Sequence, residues 1–187
     1  VLLLLVSEAE ALLPTVLSRC QVLELGPVPG PVIARMLADR HGAAPDSADE
    51  IARRSQGRPG WASRAVEDPG LLEGLARQLD AIDGVVRGGV EQRFAYAASL
   101  ASAFDRDRDS GRRELDIWLA WWRDLLLVKE GVPEFVNHVP LIDTVQPVAD
   151  ALSSEQVVRS IDAIRETVAH LERNVNSRLA LEGLMLA

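Results

Sequence analysis

The sequence predicts a mainly α-helical chain: a short strand–helix–strand unit, then a small three-helix module, then a helical bundle. Three observations predict it. Apolar residues make up 48% of the 187 residues, and Ala, Leu, Val and Arg dominate, a composition that favours helix. Proline and glycine cluster at a few places and act as punctuation between periodic segments. Toward the end, Val157, Ile161, Ile164, Val168, Leu171, Val175, Leu179 and Leu186 recur at three- and four-residue spacing, an amphipathic stripe.

The first unit reads as a strand over Val1 to Val6, a helix over Ser7 to Leu17 and a strand over Gln21 to Leu25. Ser7 and Glu10 form a capping box that starts the helix. Two strands cannot make a stable sheet alone. A chain that opens inside a core strand without an initiator methionine is therefore expected to follow a preceding domain. The run Gly26-Pro27-Val28-Pro29-Gly30-Pro31 breaks all regular structure and reads as a boundary. These features set domains of 1–28, 29–68 and 69–187.

Three short helices come next. Pro31 to His41 is ended by Gly42, Asp46 or Ser47 caps a helix running to Ser55 and ended by Gly57, and Pro59 opens a third reaching about Val66. From Leu71 the pattern lengthens, with helices expected over Leu71–Arg87, Val90–Asp105, Glu114–Lys129, Pro140–Leu152 and Ser154–Leu186. The charged run Asp105 to Arg113 reads as a solvated loop, its carboxylates Asp105, Asp107 and Asp109 included. Short connections between these helices favour antiparallel neighbours. Trp118, Trp121, Trp122 and Leu125 share one helical face, which places them in the core.

Charge and composition exclude several function classes. The net charge is −8, which argues against broad contact with a phosphate backbone. Only residues 29–66, with six arginines against four acids, are mildly basic. The single cysteine allows no intramolecular disulfide, and a reducing, cytoplasmic setting is expected. The histidines His41, His138 and His170 stand in separate segments without a second ligand at metal spacing. No metal or cofactor is therefore expected. No stretch approaches the length of a membrane span. Gly-Lys-Ser/Thr is absent, since the only lysine is Lys129 after Val128, so no phosphate-binding P-loop lies within these residues.

The most informative stretch is Leu12 to Leu25, LLPTVLSRCQVLEL. It places Arg19 at a helix tip between Ser18 and Cys20. A helix C-terminus favours a cation through the helix dipole, and the planar, permanently charged guanidinium also meets phosphate oxygens bidentately. Cys20 is expected to be small, buried and inert, and nothing orients Ser18 or Cys20 for nucleophilic chemistry. With the run before it, the stretch resembles the sensor-1 strand and SRC motif of bacterial clamp-loader AAA+ subunits. The resemblance implies that Arg19 is an arginine finger reaching the nucleotide of a neighbouring subunit.

Two further motifs carry the same resemblance. In Gly57-Arg58-Pro59-Gly60, glycine supplies the turn and proline the helix start. Where clamp-loader ATPases place a sensor-2 arginine, this chain has Gly60, and Arg58 sits two residues early. That departure is similar to the delta-prime (stator) family of DNA polymerase III, which has lost ATP hydrolysis. The ending Asn174-Val175-Asn176-Ser177-Arg178-Leu179-Ala180-Leu181-Glu182 is similar to the last collar helix of the same group. Asn174, Asn176, Arg178, Leu179 and Glu182 are then collar-interface residues.

The resemblance implies the end of an AAA+ ATPase-like domain, a helical lid and a helical collar. It implies a non-catalytic stator in a hetero-oligomer with motor and delta subunits, acting on the sliding clamp and primed DNA through that complex, away from membranes. The alternatives are an ATPase motor paralogue and a helical scaffold outside replication.

Overall fold

The computed structural model describes residues 2–6, 12–138, 142–173 and 175–186. Among the described residues, ten α-helices and one short 3-10 turn at Pro133–Phe135 make up the regular structure, and no strand forms.

The expected strands are the first correction. Leu2–Val6 and Gln21–Leu25 have no ladder partner, and Leu2, Leu5, Leu23 and Leu25 are each at least 80% exposed. A strand is fixed by a neighbour's N–H and C=O groups, and the described residues offer no such edge. The capping box at Ser7 and Glu10, with residues 7–11 of the expected helix, lies outside the described residues. Helix α1 is the short Pro14–Leu17.

Helices α2 (Gly30–His41), α3 (Pro45–Arg54) and α4 (Pro59–Glu67) surround a small core of Ile33, Leu37, Ile51 and several alanines. Each has proline in its first turn, where a missing N–H costs nothing. Helix α3 therefore starts at Pro45, ahead of Asp46 and Ser47. At the end of α2, Gly42 is left-handed (φ 64°), and its N–H donates to the Ala38 carbonyl at 3.1 Å, an αL closure.

Gly57 (φ 80°) does more than end a turn. A Cβ there would lie 2.5 Å from Pro27 Cβ, and the Val28 N–H donates to the Gly57 carbonyl at 2.9 Å. The proline-rich segment thus lies against the α3–α4 turn by close backbone approach.

Helices α5 (Pro69–Arg87), α6 (Val90–Arg106), α7 (Arg108–Lys129), α8 (Ile142–Ala151), α9 (Ser154–Glu172) and α10 (Ser177–Leu184) form the bundle. Helix α7 is central, packing against α5, α6, α8 and α9. Its Trp118, Trp121 and Trp122 are buried in the large core with Leu115 and Leu125, as their shared face predicts. Trp61 of α4 packs against both cores and joins the two helical units.

Two expected boundaries change. The charged run 105–113 is not a loop, because α6 continues to Arg106 and α7 begins at Arg108, with only Asp107 between them. Asp107 caps α7 by accepting from the Ser110 N–H at 3.2 Å. Gly111 lets the α7 backbone close onto Phe104, whose Cα lies 2.8 Å from where a Cβ would sit. The long terminal helix is likewise two helices. Ser153 and Gln156 make a capping box at the start of α9, while Asn176 caps α10, which packs against α6 and α9.

Candidate functional site

The short helix α1 carries Ser18, Arg19 and Cys20 on the turn that ends it. The backbone N–H groups of Ser18, Arg19 and Cys20 donate to the carbonyls of Pro14, Val16 and Leu17, which absorbs the orphan carbonyls of the helix end. Ser18 Oγ donates to the Thr15 carbonyl at 3.3 Å, a local bond with no base involved. Arg19 is exposed, and its guanidinium has no ion-pair partner among the described residues. Cys20 is exposed as well, which corrects the expectation of a buried thiol. Without the expected strands, no core is present around it to cover the sulfur.

The Gly57–Gly60 turn is built differently. Gln56 and Gly57 both take positive φ, and Arg58 occupies the N-cap position of α4 in an extended conformation. Arg58 Nε donates to the Ser55 carbonyl at 3.1 Å. Its side chain lines a cleft shared with α7 and α9, and Arg19 does not. Gly60 is the second residue of α4, with open space where a side chain would extend.

At the end of the chain, Asn174 lies outside the described residues. Asn176 Oδ1 accepts from the Leu179 N–H at 2.9 Å, and Arg178 Nε donates to Glu182 Oε1 at 2.7 Å on the same helix. These three residues therefore bond within their own helix. Leu179 is 68% exposed. The link from α10 to α6 comes from a neighbour that the sequence did not single out: Ser177 Oγ donates to Asp105 Oδ1 at 2.8 Å.

Two polar networks inside the bundle were also not legible. Asp124, fully buried, accepts from the backbone N–H groups of Asn137 and His138, each at 3.1 Å, and lies 2.7 Å from His138 Nδ1. Tyr96 donates to Glu114 Oε1 at 2.7 Å and accepts from Trp118 Nε1 at 2.9 Å. Burial, with Glu114 beside it, pushes the Tyr96 phenol far above its ordinary value. Helical periodicity marks Trp118 as core, but it says nothing about which polar atom meets its indole N–H.

A cavity of about 520 Å³ opens between α5, α8 and α9 over Trp118, Trp122 and Ile164. Three arginines line it, Arg87, Arg93 and Arg159, and Arg93 donates to the carbonyls of Val86 and Met185. Among the described residues, no three His, Cys, Asp or Glu side chains cluster to hold a metal ion. No helix there is long and apolar enough to cross a membrane.

No curated protein and no solved structure matches the chain. The family model described as DNA polymerase III, delta subunit, C terminal, matches residues 91–187, which span α6 to α10 and hold the Asp124–His138 and Tyr96–Trp118 networks. The match covers more than half of the sequence, and the chain belongs to this DNA polymerase III delta family.

Proposed function

We propose that this chain is a non-catalytic stator of the delta-prime type in the DNA polymerase III clamp loader. In this reading residues 1–28 end an AAA+ ATPase-like domain, residues 29–68 are its helical lid, and residues 69–187 are the collar. The collar assembles with motor and delta subunits into a hetero-oligomer, which loads the sliding clamp onto primed DNA in the cytoplasm. Arg19 meets the ATP of an adjacent motor subunit, and the chain hydrolyses none itself.

The observation that carries the reading is the exposed Arg19 at the end of α1, without an ion-pair partner among the described residues, in a chain of this family. An arginine supplied in trans neutralises charge developing on a transferring phosphoryl group and contributes about 10³–10⁵ in rate. Holding such a cation unpaired and solvent-facing keeps it available for that contact. The degenerate Gly57–Gly60 turn, with Arg58 directed to a cleft of its own chain, supports the non-catalytic assignment.

A second reading, the delta subunit itself, is favoured by the description of the matched family. Reconstitution distinguishes the two. In a complex of full-length subunits, Arg19→Ala is expected to leave assembly intact on size-exclusion chromatography and to slow clamp-dependent ATP hydrolysis at one site. Unchanged turnover would reduce Arg19 to a helix-end cation and favour delta. An intact Gly-Lys-Ser/Thr upstream of Val1 would instead indicate an active motor paralogue.

A further inference from the structure

A cleft of about 480 Å³ lies where the α3–α4 turn meets α7 and α9. Its floor is aliphatic, with Leu119 and Leu126 from α7 and Ile161 from α9, all half-buried. Three guanidiniums stand around it: Arg58 from the turn, Arg123 from α7 and Arg165 from α9. They lie up to 107 positions apart in sequence, between Arg58 and Arg165, so the fold alone assembles them.

The lining contains one carboxylate, Asp116, which is already shared with Arg112 at 3.4 Å. Arg58 donates its Nε to a backbone carbonyl and has no carboxylate partner among the described residues. Arg123 touches Asp124 at 3.2 Å, but Asp124 also accepts from the two backbone amides and faces the His138 ring, so four of the five guanidinium N–H groups remain. Arg165 meets Asp162 only at 3.6 Å, with both side chains more than half exposed, a pairing of little strength. Gln56 and Asn137 add amides at the edge.

We propose that this cleft binds an acidic peptide segment of a partner protein, with an apolar side chain seated on Leu119, Leu126 and Ile161 and flanking carboxylates on Arg58, Arg123 and Arg165. The aliphatic floor and arginine rim match the two halves of such a segment, and arginine forks pair carboxylates bidentately. A nucleic-acid strand fits less well. No aromatic ring lines the cleft for bases to stack on. Occupancy would hold the α3–α4 turn against the bundle.

The test uses the full chain and a fluorescein-labelled peptide of aspartates and glutamates around a central leucine–phenylalanine pair, read by fluorescence anisotropy at about 0.15 M salt. Saturable binding is expected. Arg58→Glu and Arg165→Glu are expected to weaken it about tenfold each, with helicity unchanged by circular dichroism. Arg77→Glu, on the exposed face of α5, serves as the control and is expected to leave the affinity alone. Absence of binding overturns the proposal, as does equal weakening by Arg77→Glu. Tighter binding of a thymidine oligonucleotide of the same charge, lost in the same two variants, would overturn the peptide assignment in favour of phosphate recognition.

Discussion

His138 Nδ1 lies 2.7 Å from Asp124 Oδ2, with both side chains almost completely removed from solvent. The same carboxylate accepts two successive backbone amides, those of Asn137 and His138. One buried side chain on α7 therefore holds the segment that leaves the 3-10 turn at Pro133–Phe135. That segment would otherwise bury unpaired N–H groups, which is costly.

Removal of the carboxylate is expected to expose that cost. Asp124→Ala should destabilise the chain by several kcal/mol, because it leaves the buried Asn137 and His138 amides unpaired, at about 1–3 kcal/mol each. Asp124→Asn should be milder but still destabilising, because its NH2 faces donors where the wild type presents oxygen. Urea unfolding followed by tryptophan fluorescence checks both. A loss below about 1 kcal/mol for the alanine variant would mean that water replaces the carboxylate.

Tyr96 is the only tyrosine in the chain, so phenolate absorbance reports on it alone. Its folded value is raised above the ordinary 10.0 by burial, with Glu114 alongside. Above pH 10 the unfolded chain loses this proton while the folded chain keeps it. The stabilisation is therefore complete below pH 10 and is lost as pH rises beyond it. An alkaline titration should show no phenolate step near pH 10 until the far-ultraviolet helix signal falls. Phenolate appearing in the fully folded chain would disprove the buried network.

Asn176 separates α9 from α10 by accepting the Leu179 N–H. Asn176→Ala should cost about 1 kcal/mol, the typical loss of a cap, and Asn176→Asp should be close to neutral. Thermal unfolding of the three proteins gives the comparison. Equal stability of the alanine variant would show that packing of α10 on α6 and α9 sets the break without the cap.

Gly57 is left-handed and lies against Pro27. Gly57→Ala should lose about 1–2 kcal/mol to backbone strain and also push Pro27 away. Limited proteolysis should then cut residues 20–28 faster than in the wild type. An unchanged cleavage rate would show that the Val28–Gly57 hydrogen bond is not what holds that segment.

Sequence and structure agree where the signal is local. The end of α2 at Gly42, the proline start of α4, and the tryptophan face of α7 follow from backbone rules and helical periodicity acting over a few residues. Asn176 shows the limit, because an asparagine inside an unbroken apolar stripe is compatible with either a continuing helix or a cap. The stripe continues through the break, and only the packing of α10 on α6 selects the cap.

Local pattern along the chain accounts for a helical protein, the punctuation of its elements and an arginine at a helix tip. Tertiary structure alone decided that Leu2–Val6 and Gln21–Leu25 form no strands among the described residues, since strands require partners that periodicity cannot supply. It also decided that Asp124 meets His138, that Ser177 meets Asp105, and that Arg58, Arg123 and Arg165 share one cleft. Helices close their hydrogen bonds within four residues and so are written locally. Buried polar pairs and clefts depend on where distant helices dock, and burial of apolar faces settles that for the chain as a whole.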